Sequence, residues 1–290
     1  MIDLLKSLEK QPPDWTIESL PLHHTRGRVP GLCALVRSDN EETIALVHQG
    51  YAPIQNQDGL ALAESLGYKF QGARVSHQGR RVFMLFGLDT IEMAGEEVSL
   101  HLCLANAHGS SLTTLGLESV EREAFLTPHL VFRRVACLNV FDSLWVARYN
   151  APRIIPGSEE SVSELKRWIT ENIDRSLEKA KVLLAARVTE EKVRDFSAYF
   201  RFLGGNHATH FMEVWRDTND LTPIRHTGWG AYQAVAAYMT HHYPHASQDW
   251  WLLQDSPDYA YLADAHHFFE AREVPFMRWN PKTGSHHRLE

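Results

Sequence analysis

The hydrophobic pattern of this chain changes character once, about halfway along. Before the change, Val98, Leu100, Leu102 and Leu104 alternate with Ser99, His101 and Cys103, the two-residue period of a half-buried strand. Tyr68 to Ser76 and Arg81 to Leu88 flank His77-Gln78-Gly79-Arg80, a hairpin in which glycine supplies positive φ. Thr43 to His48, Thr113 to Val120 and His129 to Arg133 add strands to the same region. After the change, Leu165, Trp168, Ile169, Ile173, Leu177 and Leu184 keep helical spacing to about Arg187. Ser161-Val162-Ser163-Glu164 reads as a capping box in front of them.

Three more helices follow in this reading. Thr189 caps one that runs through Phe202 to Gly204-Gly205, and others fit Gly230 to His242 and Asp258 to Ala271. Cys137 to Ala147 fits a helix lying against the sheet. Strands first and helices after them specify an α+β fold, with a mostly antiparallel central sheet at about 43–133 and a helical C-terminal half. Pro152, Pro156 and Gly157 mark the boundary, dividing residues 1–150, an N-terminal arm and β-rich region, from a helical region at 151–290. Met1 to Lys10 reads as a short amphipathic helix, and Pro12-Pro13, Pro21 and Pro30 as an irregular arm. Asp58 to Leu66 is a helix stopped by Gly67.

Charge bears on partners. Of the net −7, residues 1–65 hold 5 basic and 9 acidic side chains, residues 228–290 hold 4 and 7, and the middle balances at 20 and 20. An acidic whole argues against strong non-specific binding to nucleic acid and leaves room for a local basic groove in the middle. Cys33, Cys103 and Cys137 are far apart and form no CxxC pair, which points to a reducing compartment and a cytoplasmic location. No apolar run is long enough for a membrane helix, so no membrane partner is expected.

Three patches stand out. Tyr51-Ala52-Pro53-Ile54-Gln55-Asn56 precedes the first internal helix. Asn106-Ala107-His108-Gly109-Ser110-Ser111 closes a strand and leads on to Arg134-Val135-Ala136-Cys137-Leu138-Asn139. Thr227-Gly228-Trp229-Gly230-Ala231-Tyr232-Gln233 opens a late helix, with His241 close behind. In order and content, over about residues 43–245, these patches resemble the phage/plasmid-like family known as domain of unknown function 932. Ala105, Ala107, Gln233 and Thr240 depart from that family's pattern, and its aspartate before Gly109 is missing. The resemblance makes Tyr51, Pro53, Gln55, Asn56, Asn106, His108, Cys137, Asn139, Trp229 and Tyr232 the motif residues. It implies mobile-element biology, in phage DNA metabolism or counter-defence, and no established reaction.

Arg74, Arg80, Arg81, Arg133 and Arg134, with Tyr68, Phe70 and Phe83 nearby, suit a sheet that holds single-stranded DNA by backbone attraction and base stacking. That reading rests more on the family context than on charge. It makes the chain a non-enzymatic DNA-associated protein, with an annealing-type homo-oligomer as one form. A counter-defence protein that binds a host protein or a nucleotide signal is the first alternative. A cysteine hydrolase is the second, since Cys137, His108 and Asn139 supply the residue types for an activated thiolate. Among 17 histidines, His207 and His210 have one-turn spacing, and Asp264 precedes His266 by two residues. No recognised metal spacing is present, so no metal and no cofactor is assigned.

Overall fold

The computed structural model describes residues 8–108, 124–134, 144–147, 150–201, 206–243, 257–270, 277–280 and 285–288. The α+β architecture is observed: antiparallel sheets fill the N-terminal half and helices the C-terminal half. A three-stranded sheet comes first, in the order β1 (Ile17–His24), β2 (Gly27–Arg37), β3 (Thr43–His48). After α1 (Asn56–Ser65), a five-stranded meander runs β4 (Lys69–Ser76), β5 (Arg81–Met93), β6 (Glu96–Ala107), β7 (Leu126–Arg134), β8 (Leu144–Ala147). The helical half holds α2 (Glu159–Ala185), α3 (Glu190–Arg201), α4 (His207–Asp217), α5 (Gly228–His241) and α6 (Pro257–Glu270). A hairpin of β9 (Met277–Asn280) and β10 (Ser285–Arg288) follows.

Several expectations change. The proline-rich arm is largely sheet, because its prolines sit where no ladder N–H is required. Pro21 lies in edge strand β1 beside a register break, and Pro30 with Gly31 falls in the gap between Arg28 and Leu32 of β2, where neither β1 nor β3 is in register with it. Glu9 exchanges backbone hydrogen bonds with Ala73, so it extends the sheet edge rather than a helix; residues 1–7 lie outside the described residues. Leu144–Ala147 pairs with β7 where a helix was expected, an ambiguity inherent in a short apolar run. Helix α2 starts at Glu159, earlier than the predicted capping box. Its N-cap is Ser158, whose side chain accepts from the Ser161 amide. The Ser161 hydroxyl accepts instead from the Ile155 amide. The strand expected at Thr113 to Val120 lies outside the described residues.

Other expectations hold. Gln78 and Gly79 take φ of 61° and 99° in the turn between β4 and β5, and Gly67 caps α1 at φ 81°. The Thr189 hydroxyl accepts from the Lys192 amide at the start of α3. Strand β6, however, is buried on both faces: His101 and Cys103 are as enclosed as Leu100 and Leu102. Alternation in polarity predicts alternation in exposure, and here the polar row is covered.

Helix α5 organises the helical half. From Trp229 to Met239 nearly every side chain is buried, as expected of a helix packed on all sides. It contacts α2, α4 and α6. Around Tyr238, the rings of Phe196, Phe200 and Phe211 pack with centroids 4.8–6.0 Å apart. Aromatic packing of this kind adds to the area each ring removes from water. Helix α2 lies across β5 and β7, and one contiguous set of buried apolar side chains runs from Leu8 to Phe269.

The glycines of the Thr227–Gly230 patch have a steric reason. A Cβ at Gly228 would sit 2.9 Å from the Leu183 carbonyl oxygen and 3.1 Å from that of Phe269. At Gly230 it would overlap the carbonyl group of Ile224 and lie 3.0 Å from the Arg225 Cα. Backbone cannot yield as a flexible side chain can, so Gly230→Ala should cost about 2 kcal/mol or more despite alanine's better helix propensity. Urea unfolding reads this directly, and an unchanged midpoint would refute the close approach.

Candidate functional site

The residues singled out by the first two patches meet in space at a buried polar junction. Gln55 copies a neighbouring strand: its Oε1 accepts from the Ile17 amide at 2.8 Å, and its Nε2 donates to the Ile17 carbonyl at 3.1 Å. Its own backbone N–H donates to Asp58, which fixes the first turn of α1. Asn56 Nδ2 donates to the Trp15 carbonyl at 3.4 Å. Asn106 Nδ2, at the end of β6, donates to the Ile54 carbonyl at 3.0 Å and to Asn56 Oδ1 at 3.4 Å. Two sheets and α1 are thereby tied through groups that would be costly to bury unpaired. Tyr51 is buried beside this junction and Pro53 is half-buried.

His108 completes the junction. Its amide donates to the Arg80 carbonyl at 2.7 Å, and its ring meets Trp15 edge-on at 6.5 Å between centroids. The ring has no exposed surface, and neither ring nitrogen has a hydrogen-bond partner among the described residues. Burial lowers its pKa to about 3, so the imidazole is neutral. Cys137 and Asn139, its proposed companions, lie outside the described residues.

A second junction joins the sheet to the helices. Arg134, at the end of β7, donates from Nε to both Glu96 carboxylate oxygens at 2.9 Å and from Nη2 to Oε1. Its other contacts are Asp220 Oδ2 at 3.0 Å and the Asp220 carbonyl at 3.0 Å. Trp229 Nε1, from α5, donates to Glu96 Oε2 at 3.0 Å. Tyr232 stacks one turn further along the helix, 5.9 Å from Trp229 between centroids. Glu96 and Asp220 belong to no motif and went unnoticed in the sequence. A lone acid carries no pattern until its buried arginine is located.

The five arginines expected to hold nucleic acid divide. Arg134 is consumed by the ion pairs just described. Arg133 is partly exposed at the far end of β7, near enough for its charge to act on His101, whose pKa falls to about 4 through burial first and Arg133 second. Arg74, Arg80 and Arg81 gather at the β4–β5 turn, Arg80 exposed with its Nε donating to the Ile44 carbonyl. Arg37 reaches the same turn, donating to the Gln78 carbonyl and lying 4.3 Å over the Trp15 ring, while its Nε and Nη2 donate to the Asp39 carboxylate at 3.0 and 2.6 Å. Phe83 is buried and offers no stacking platform.

The histidine candidates also separate. His207 Nδ1 hydrogen-bonds the Tyr238 hydroxyl at 2.7 Å. Among the described residues, the metal-type donors that converge are His266, His267 and Glu270; His207 and His210 are not in that group, and the Asp264 side chain lies outside the described residues. A cleft of about 720 Å3 opens beside the first junction, lined by Pro53, Ile54, Leu62, Ile155, Ser158 and Glu159 among others.

Fold and junctions together define an α+β protein whose helical half is bolted to an antiparallel sheet by buried polar groups. Residues 153–265 of this protein match the family model described as Domain of unknown function (DUF932), the family its motifs resemble. The match contains the Gly228–Tyr232 patch, and the residues of the first junction lie outside it. No curated protein and no solved structure matches the chain. No described helix is long and apolar enough to cross a membrane.

His101 and His108 carry a pH signature. Both have folded pKa values, about 4 and about 3, below the ordinary 6.5. The unfolded chain therefore takes up protons below pH ~6.5 that the folded chain refuses, and stability falls as pH drops toward 4 by up to ~1.4 kcal/mol per pH unit per histidine. Replacing His108 with Gln should flatten this decline in thermal melts between pH 7 and 4. An equally steep decline in the variant would assign it elsewhere.

Proposed function

We propose that this chain is a DNA-associated binding protein that grips the backbone of single-stranded DNA at the end of the β4–β5 hairpin. One observation carries the reading: Arg80 and Arg81 sit in and beside that turn, Arg74 lies on the strand leading into it, and Arg37, itself paired with Asp39, reaches the Gln78 carbonyl. Guanidinium groups held in place by backbone acceptors and by the Trp15 ring suit phosphate recognition at low ordering cost. Fluorescence-anisotropy titration of labelled single-stranded and duplex oligonucleotides over a range of salt tests it. The expected result is a preference for single strands that weakens steeply with salt. The Arg80→Ala/Arg81→Ala double variant should lower the log–log salt slope for single strands by about 1.4, ~0.7 per lost phosphate contact. Absence of binding at low salt, or an unchanged slope, would remove the reading.

The cleft beside the first junction favours a second reading, a counter-defence protein that takes a host protein or nucleotide signal there. Its lining includes Ala52, Pro53 and Ile54 of the first motif patch and is mostly apolar, as binding sites tend to be. Val162→Trp, which fills the cleft, shows in the same titration whether the cleft takes part in DNA binding. Unchanged DNA affinity keeps the contact at the hairpin, and lost affinity moves it to the cleft.

A further inference from the structure

The last turn of α6 brings three metal-type donors together. His266, His267 and Glu270 place a ring nitrogen or carboxylate oxygen each within 4.8 Å of one another. His266 and Glu270, one turn apart, share a helix face, with Nδ1 3.2 Å from Oε2. His267 sits about 100° further round the helix, so its convergence on the same point is not a consequence of helical spacing alone. We infer that these three side chains form a site for a single divalent ion of the zinc class.

The chemistry of the position supports this in three ways. Two imidazoles and one carboxylate are a donor set for borderline ions, with water completing a four-coordinate shell. His266 is buried against the edge of the Tyr232 ring, 6.4 Å between centroids, and burial favours the neutral imidazole that carries a donor lone pair. The site also lies in the last turn of α6, where the helix dipole makes the field favourable to a cation. One neighbour opposes it: the Lys179 ammonium, on α2, acts on the same imidazole. Glu270 supplies the negative charge that offsets this ammonium, and the balance gives the proposal a distinctive test.

The experiment is calorimetric titration of the full chain, stripped with chelator, with Zn2+. Co2+ serves as the spectroscopic probe. The expected result is one saturable site whose Co2+ form shows the intense visible bands of tetrahedral coordination. His267→Ala and Glu270→Gln should each lose roughly tenfold or more in affinity. Both side chains are at least partly exposed, and far-ultraviolet circular dichroism checks that each variant folds. Lys179→Met should bind more tightly than the parent. His286→Ala/His287→Ala, which changes two histidines that are not among the three donors, should bind like the parent. No saturable Zn2+ uptake, or identical titrations for the parent, His267→Ala and Glu270→Gln, would overturn the assignment.

Discussion

A carboxylate with little exposed surface is costly to bury unless positive charge and donors surround it, and Glu96 finds both, one from each half of the chain. Arg134 supplies the charge from β7 and Trp229 a donor from α5, while Arg134 in turn holds Asp220 in the turn before α5. Removing one partner of such a group exposes the full desolvation cost of the others, several kcal/mol. The sheet end and the α5 N-terminus are therefore constrained to one relative position. Gly228 and Gly230 allow it by letting backbones touch, and the aromatic core around Tyr238 is built on the helix so placed. The Gln55, Asn56 and Asn106 junction does the equivalent for the three-stranded sheet.

The fold was legible where a local rule acts alone. The β4–β5 turn follows from Gly79, and the end of α1 from Gly67. The start of α3 follows from Thr189 and the apolar stripe of α2 from its spacing. It was not legible where tertiary context decides. The prolines of β1 and β2 read as breakers because nothing local marks the unpaired positions they occupy. Leu144–Ala147 is too short for its period to separate strand from helix. His101 and Cys103 read as a solvent face because polarity was the sole guide, whereas the fold covers both faces of β6.

The candidate site was legible in part and for a different reason than expected. Asn56, Asn106, Arg134 and Trp229 were all singled out, but as motif or DNA contacts. In the structure they are paired inside the protein, where polar groups specify how elements dock. Their partners Glu96, Asp220 and the backbone of Trp15 have no signature of their own. The proposed sites are what these junctions leave outside: the arginines at the β4–β5 turn, the cleft beside Pro53, and the histidines that end α6. Arg74, Arg80, Arg81, Pro53 and His266 were named from the sequence, but Arg37 was not, since its contact depends on a strand 41 residues away reaching the turn.

The central claim is that Glu96 bolts the sheet to the helical half. A double-mutant cycle on Glu96→Ala and Trp229→Phe, read by urea unfolding, tests it across that interface, because Phe keeps most of the ring packing and removes the donor. The account predicts a coupling energy of about 1–3 kcal/mol, the worth of a buried hydrogen bond to a charged acceptor. Additive losses, with coupling within ~0.5 kcal/mol of zero, would contradict it.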